Sequence, residues 1–347
     1  MIHAFADADQ KDARLVRLAP EAVDRALEGV RGEVVEYAKT LPWGTRTTGL
    51  RSADQVRALI DAEHIGADEV KDRVAELATL ALESHRLGRP ECGSLRLLLS
   101  GPPGVGKSTL ARAVADSMGL AFEKIPLGGM ADAYPLLGAH HLYDQASPGR
   151  VLEAVRRSGV ENPLILLDEI DRMGASNHLG DPSAVIMAAI DPVLSRDWRD
   201  SYLGAPWDLS PVSWIATCND ASALSPALLD RLERVDIPGY SEAERLRILQ
   251  EVLLPRAIAA HPFADGVCVE LDADAQVQLA TVYEPGPGVR RLQSNLTRVM
   301  RRAVMAQADG STHIRVSAEN LTEWLTPPRP PGTVGFRHGD GHPTKGK

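Results

Sequence analysis

The octapeptide Gly101-Pro102-Pro103-Gly104-Val105-Gly106-Lys107-Ser108 has the G-x-x-x-x-G-K-[ST] spacing of a phosphate-cradling loop. Glycines let the backbone turn successive N–H groups onto an anion, and a helix starting behind the loop adds its partial positive charge. Lys107 supplies a cation for β- and γ-phosphates, Ser108 a hydroxyl ligand for Mg²⁺, and Thr109 continues the helix start. A second cluster, Leu166-Leu167-Asp168-Glu169, ends an apolar run in two carboxylates. In nucleotide hydrolysis one carboxylate holds the Mg²⁺ water shell while another takes a proton from the attacking water. Asp168 is therefore the metal partner and Glu169 the base candidate. A glycine turn or an acidic strand end is ordinary by itself; the two together predict ATP binding and hydrolysis with Mg²⁺.

Such groups work only if rigid elements hold them. Residues 94–100 form a short apolar run that ends in glycine and leads into a helical pattern over 107–118, a strand-loop-helix unit. Residues 163–167 and 211–217 read as two further buried strands, and the helical segments between them imply a parallel sheet with crossovers. Before the sheet, residues 20–41 follow helical spacing until Pro42-Trp43-Gly44 stops them. Residues 52–82 give two amphipathic helices split at Ile65-Gly66. After Pro238-Gly239-Tyr240 the pattern is almost wholly helical. The expected organisation is a helical lead-in (1–45), an α/β nucleotide-binding domain (46–238), a smaller all-helical domain (239–326) and a flexible Pro/Gly-rich tail (327–347).

Composition narrows the classes. A formal charge of −9 opposes a broad basic face for nucleic acid, although a local basic channel stays open. Cys92, Cys218 and Cys268 form no C-x-x-C pair and read as reduced, partly buried thiols, which fits the cytoplasm. No apolar run has the length to cross a bilayer, and the N-terminus lacks a signal-like core, so no membrane partner is expected. His140 and His141 are adjacent but have no spaced third ligand, so no metal other than Mg²⁺ is expected.

Several segments in fixed order resemble the AAA+ ATPase module of the Lon protease family over roughly residues 41 to 325. They are LPWG (41–44), EHIG (63–66), the phosphate loop, LGG (127–129), LLDEIDRM (166–173), DLS (208–210), IATCND (215–220), LLDR (228–231), PGY (238–240) and GVR (288–290). The resemblance implies a P-loop AAA+ sheet followed by a helical lid. It assigns Asn219 as sensor 1, Arg290 as sensor 2, and Arg231 as an arginine finger acting on a neighbouring subunit, with Arg234 a competitor for that role. It also makes His64-Ile65-Gly66 the adenine-facing turn, with Ile65 where a tyrosine is usual. Tyr143 falls at the aromatic of the first pore loop, where Asp144 and Gln145 replace the usual apolar residue and glycine, and residues 174–180 fall at the second.

A finger supplied in trans implies a homo-oligomeric ring, a hexamer, acting on polypeptide substrates. The chain shows no Ser-Lys, Ser-His-Asp, Cys-His or H-E-x-x-H arrangement, so peptidase activity is not expected and a separate peptidase is the implied partner. The family's large N-terminal region is likewise reduced to about forty residues before LPWG, and the reading is of a stand-alone motor. Three functions follow from these residues: a Lon-like ATPase that unfolds or remodels proteins, a nucleotide-dependent adaptor of another ring, and a DNA-associated AAA+ ATPase, which the acidic balance disfavours.

Overall fold

Leu97, Leu98 and Leu99 are consecutive and fully buried. A strand that is apolar on both faces belongs in the middle of a covered parallel sheet. The computed structural model, which describes residues 32–47, 51–87, 93–143, 146–174 and 180–325, places them there. These residues fall into two compact units divided between Tyr240 and Ser241.

The first unit begins with α1 (Gly32–Lys39), α2 (Ala53–Glu63) and α3 (Asp68–Arg86). It continues through β1 (Arg96–Ser100), α4 (Lys107–Met118), β2 (Phe122–Pro126), α5 (Tyr134–Leu137), α6 (Arg150–Ser158), β3 (Leu164–Asp168) and α7 (Pro182–Ile190). The antiparallel pair β4 (Trp198–Arg199) and β5 (Pro206–Trp207), then β6 (Ser213–Cys218), α8 (Pro226–Leu229) and β7 (Glu233–Asp236), complete it. The main sheet has the order β2-β3-β6-β1-β7 with every neighbouring pair parallel. The chain leaves β1 toward one edge and returns by β7 on the other side, so the carboxyl ends of β1, β3 and β6 open together on one edge. Open α/β sheets bind ligands at such a place.

The parallel sheet flanked by helices agrees with the sequence reading. The 20–41 helix is described only from Gly32 onward. Instead of standing apart, α1 adds Val34 and Ala38 to the core of the sheet domain. Leu41 is buried beside them, and the Trp43 ring lies 4.5 Å from Trp207 while its Nε1 donates to Ala38 O at 2.7 Å. Glu161 then fastens the turn through Gly44 N and the Arg46 guanidinium. Of the thiols, Cys218 is buried, Cys268 is exposed, contrary to the partly buried reading, and Cys92 lies outside the described residues.

The second unit contains α9 (Glu242–Ile248), α10 (Leu254–Ala259), α11 (Ala273–Thr281), α12 (Arg290–Ala308) and α13 (Ala318–Trp324). A capping box between Ser241 and Glu244 starts α9. One π-type turn, Leu249–Leu253, joins α9 to α10, where Pro255 cannot donate a backbone hydrogen bond. The helices enclose Leu249, Leu279, Leu292, Leu296 and Met300. To this helical unit the structure adds one short parallel strand pair, β8 (Cys268–Leu271) with β9 (His313–Val316), which helical periodicity did not announce. No helix among the described residues is long and apolar enough to cross a membrane. The flexible tail expected at 327–347 lies outside the described residues.

Burial makes the core testable. Leu98 is fully buried, so Leu98→Ala should lower the stability of the first unit by about 2–5 kcal/mol. Leu80→Ala, on the half-exposed face of α3, should cost no more than about 0.5 kcal/mol. Chemical denaturation of the two variants side by side checks the contrast.

Candidate functional site

The phosphate loop is a bend between β1 and α4, and contacts fix its shape. Gly101 N donates to Cys218 O at 3.2 Å, and a Cβ on Gly101 would lie 2.2 Å from Ile237 O, so only glycine fits against β7. Gly104 and Gly106 both have φ of +84°. Gly106 is also crowded, since a Cβ there would lie 2.9 Å from His64 Nε2. Val105 is buried, whereas Pro103 at the bend is exposed. Gly106 forms the N-cap of α4 without any side-chain cap bond, which suits the helix start to an external anion. Thr109 turns back locally, donating to Gly106 O at 2.7 Å.

Lys107 closes the loop from inside. Its Nζ donates to Gly101 O at 2.6 Å, Pro102 O at 3.0 Å and Asn219 Oδ1 at 2.9 Å. A lysine has three donors, so each is engaged by an oxygen that a phosphate oxygen can replace. Burial holds its pKa below the ordinary lysine value against the pull of nearby acids, Asp171 and Asp168 among them.

Asp168, at the end of β3, ties four elements together. Its Oδ1 accepts from Ser108 Oγ on α4 at 2.8 Å and from Thr217 Oγ1 on β6 at 2.6 Å, while Oδ2 lies 2.5 Å from Lys124 Nζ on β2. Burial acts to raise the carboxyl pKa, but Lys124, Thr217 and Ser108 outweigh it and keep the group ionised below its usual range. A hydroxyl and an anionic carboxylate already in contact are a donor set suited to Mg²⁺, which takes few protein ligands besides water and phosphate. Lys124 and Thr217 were missed in the sequence. Pairing in the sheet brings them to Asp168, and no motif spacing marks either.

Glu169 carries an unusual backbone. Its φ of +58° and ψ of +51° are left-handed, a conformation that costs a non-glycine residue and recurs at functional sites. Its N–H donates to Thr217 Oγ1 at 3.0 Å, and Arg172 Nη1 bonds both carboxylate oxygens at 3.1–3.2 Å. Gly128 makes room for this group, because a Cβ there would lie 3.0 Å from Glu169 Oε2. Around it, Leu127 N donates to Asp168 O and Gly129 N to Arg172 O. The LGG segment is thus the backbone partner of the acidic turn.

Asn219 leaves β6 with its oxygen on Lys107, an orientation forced by a donor-only ammonium. Asp171 holds that turn, its Oδ2 accepting from Asn219 N at 2.9 Å and Asp220 N at 3.2 Å. Asp171 is a further residue that the sequence reading left without a role, although it stands two places beyond Glu169.

Behind the loop, His64 is buried against Tyr240, with Nε2 at 3.4 Å from its hydroxyl, which in turn donates to Val105 O at 2.8 Å. Burial, reinforced by the positive charge of Lys71, pushes the His64 pKa down to about 4 and keeps the ring neutral near pH 7. Lys71 is itself held by His64 O and Asp61. Ile65 is partly exposed, and Gly66, at φ +76°, completes the turn.

The remaining predicted residues lie on other elements. Arg231 follows α8, its Nε bonding Asp191 Oδ2 at 2.9 Å and its Nη1 bonding Ala227 O at 2.6 Å. Arg234 pairs with Asp236. Arg290 is exposed at the first residue of α12, in the second unit. Tyr143 is 70% exposed, beside the stacked rings of His140 and His141 at the rim of an open cavity of about 470 Å³. Burial drives the pKa of Asp200, also in that cavity, up to about 6 against three backbone N–H bonds. Asp144, Gln145 and residues 175–179 lie outside the described residues.

The edge of the sheet therefore presents a glycine loop at a helix start, a lysine, a hydroxyl bonded to an ionised carboxylate, a second carboxylate and an amide. This set can hold a polyphosphate and position a water. Comparison with known proteins agrees with the α/β sheet. The model of the ATPase family associated with various cellular activities (AAA) matches residues 97–239. Lon protease 2 of Thermus thermophilus is 33% identical over 325 residues, 91% of this chain and 40% of the relative. The Lon protease of Aquifex aeolicus is 34% identical over 93% of this chain and 40% of its own length. That of Frankia alni is 37% identical over 83% and 34%. The chain spans about 40% of the length of the first two of these curated relatives. Residues 97–239 match the AAA ATPase family, and over nearly all of its own length the chain is similar to the Lon proteases.

Proposed function

We propose that this chain hydrolyses ATP to ADP and phosphate with Mg²⁺ and, as a homo-oligomeric ring of Lon type, uses the reaction to unfold or remodel polypeptides. The observation that carries the reading is the meeting of Lys107, Ser108, Asp168, Glu169 and Asn219 at one edge of the sheet. A divalent ion bound there would neutralise charge on the phosphate oxygens. Lys107 exchanges its loop carbonyls for β- and γ-phosphate oxygens, and the α4 N-terminus faces the same anion. Ser108 and Asp168 would hold the ion, Asp168 kept anionic by Lys124 and Thr217.

Glu169 accepts a proton from the water as its oxygen bonds to the γ-phosphorus. The bond to the bridging oxygen breaks, and ADP keeps that electron pair. Asn219 orients the water once its amide is released from Lys107. The loop Gly101, Pro102, Pro103, Gly104, Val105 and Gly106 with Thr109 carries the phosphates, and His64, Ile65 and Gly66 pack on the adenine. Arg231 serves the nucleotide of a neighbouring subunit, Arg290 acts as sensor 2, and Tyr143 grips the polypeptide. A peptidase on a separate chain would receive the product.

A second reading, an adaptor that binds nucleotide and modulates another ring, is favoured by one feature. Asp144 and Gln145 replace the apolar residue and glycine that follow the pore-loop aromatic in the family.

Glu169→Gln should retain nucleotide binding and lose at least about a hundredfold in turnover, the usual contribution of a general base. Steady-state phosphate release measured beside nucleotide affinity checks this, and undiminished turnover removes the base assignment. Tyr143→Ala should abolish the rise in turnover caused by an unfolded polypeptide, read as the ratio of stimulated to basal rate. A ratio unchanged from the parent chain excludes the pore role, and a parent chain that binds ATP without any stimulation supports the adaptor.

A further inference from the structure

The short strand pair of the second unit divides its side chains by face. Leu271, Ile314 and Val316 are buried with Val269 packed beside them, while Cys268, Glu270, His313 and Arg315 occupy the outer face. The register is parallel, with Cys268 opposite His313 and Glu270 opposite Arg315. Cysteine is among the most regularly buried residues, so an exposed one on a polar strand face calls for a reason.

Its neighbours supply one. Cys268 Sγ donates to Glu270 Oε1 at 3.7 Å, and His313 Nε2 lies 3.7 Å from Glu270 Oε2. One donor atom from each of the three residues lies within 4.8 Å of the other two. Arg315, opposite Glu270 in the ladder, directs its Nε to Asp272 Oδ1 at 2.5 Å. A tetrahedral ion with bonds of about 2.0–2.3 Å spaces its ligands about 3.3–3.5 Å apart, so small side-chain rotations complete the geometry. The ladder fixes the backbone on both sides, through Cys268 N to Thr312 O and Asp272 N to Val316 O.

We propose that Cys268, Glu270 and His313 bind a divalent ion of the Zn²⁺ class, with water filling the open position. Thiolate, imidazole and carboxylate together select a borderline-soft ion, whereas Mg²⁺ and Ca²⁺ demand oxygen donors. As the Sγ–metal bond forms, the thiol proton now shared with Glu270 leaves to solvent, so each ion bound releases one proton. The bound ion cross-links β8 to β9, two strands separated by α11 and α12. Exposure at the surface lets the ligands be replaced without disturbing the core.

Titrating the nucleotide-free full chain with Co²⁺, a spectroscopic stand-in for Zn²⁺, tests the site. A thiolate-to-cobalt charge-transfer band should grow to one ion per chain and vanish when Zn²⁺ is added. Cys268→Ser should lack the band, and His313→Ala and Glu270→Gln should each weaken binding by at least about tenfold. Zn²⁺ should also raise the thermal midpoint of the parent chain but not that of Cys268→Ser. A measurement that needs no variant is alkylation followed by peptide mass analysis, in which Zn²⁺ should protect Cys268. Absence of the band, its persistence in Cys268→Ser, or unprotected alkylation of Cys268 overturns the proposal.

Discussion

The Asp168 carboxylate joins stretches of chain that the sequence keeps far apart. Ser108 arrives from the helix behind the phosphate loop, Thr217 from a neighbouring strand and Lys124 from the opposite side, and all three close on one ionised group at the end of β3. Burial alone would favour its neutral form; the three partners reverse that preference. The arrangement fixes the relative positions of β2, β3, β6 and α4 at the edge where the chemistry is expected. Thr217 then passes the constraint on, because its hydroxyl also receives the N–H of Glu169 and so helps to hold that residue in its left-handed turn.

Charges elsewhere in the site follow the same logic of provisional partners. Lys107 is satisfied by two loop carbonyls and Asn219, and Glu169 by Arg172. Each pairing keeps a polar group from standing unsatisfied, and each partner can be exchanged for a phosphate oxygen or a water. Asp171 anchors the Asn219 turn through backbone donors instead, so the turn does not depend on the Asn219 side chain, whose oxygen is held by Lys107. His64 provides a fixed wall: neutral, buried and bonded through Tyr240 to the loop, it leaves no space for a side chain at Gly106.

Legibility in the sequence tracked how local each signal was. Residues 97–99 and 164–167 could be read as strands because uninterrupted apolar runs have few other uses, and the glycine loop because its spacing is its mechanism. β2 and β7 were missed. Phe122–Pro126 and Glu233–Asp236 mix charges with apolar residues, as edge strands do, and four or five such residues carry no distinct period. The same holds for β8 and β9, whose alternation is too brief to stand out beside long helices.

From the sequence alone came a parallel α/β sheet, the phosphate loop with Lys107 and Ser108, and the acidic pair Asp168 and Glu169, since each is encoded within a few consecutive residues. Only the tertiary structure decided that Lys124 and Thr217 hold Asp168, that Gly128 makes room for Glu169, and that Cys268 faces His313 across a strand pair. Those facts depend on strand order and register, which arise from pairings between distant segments. A chain records such pairings in no single window of its sequence.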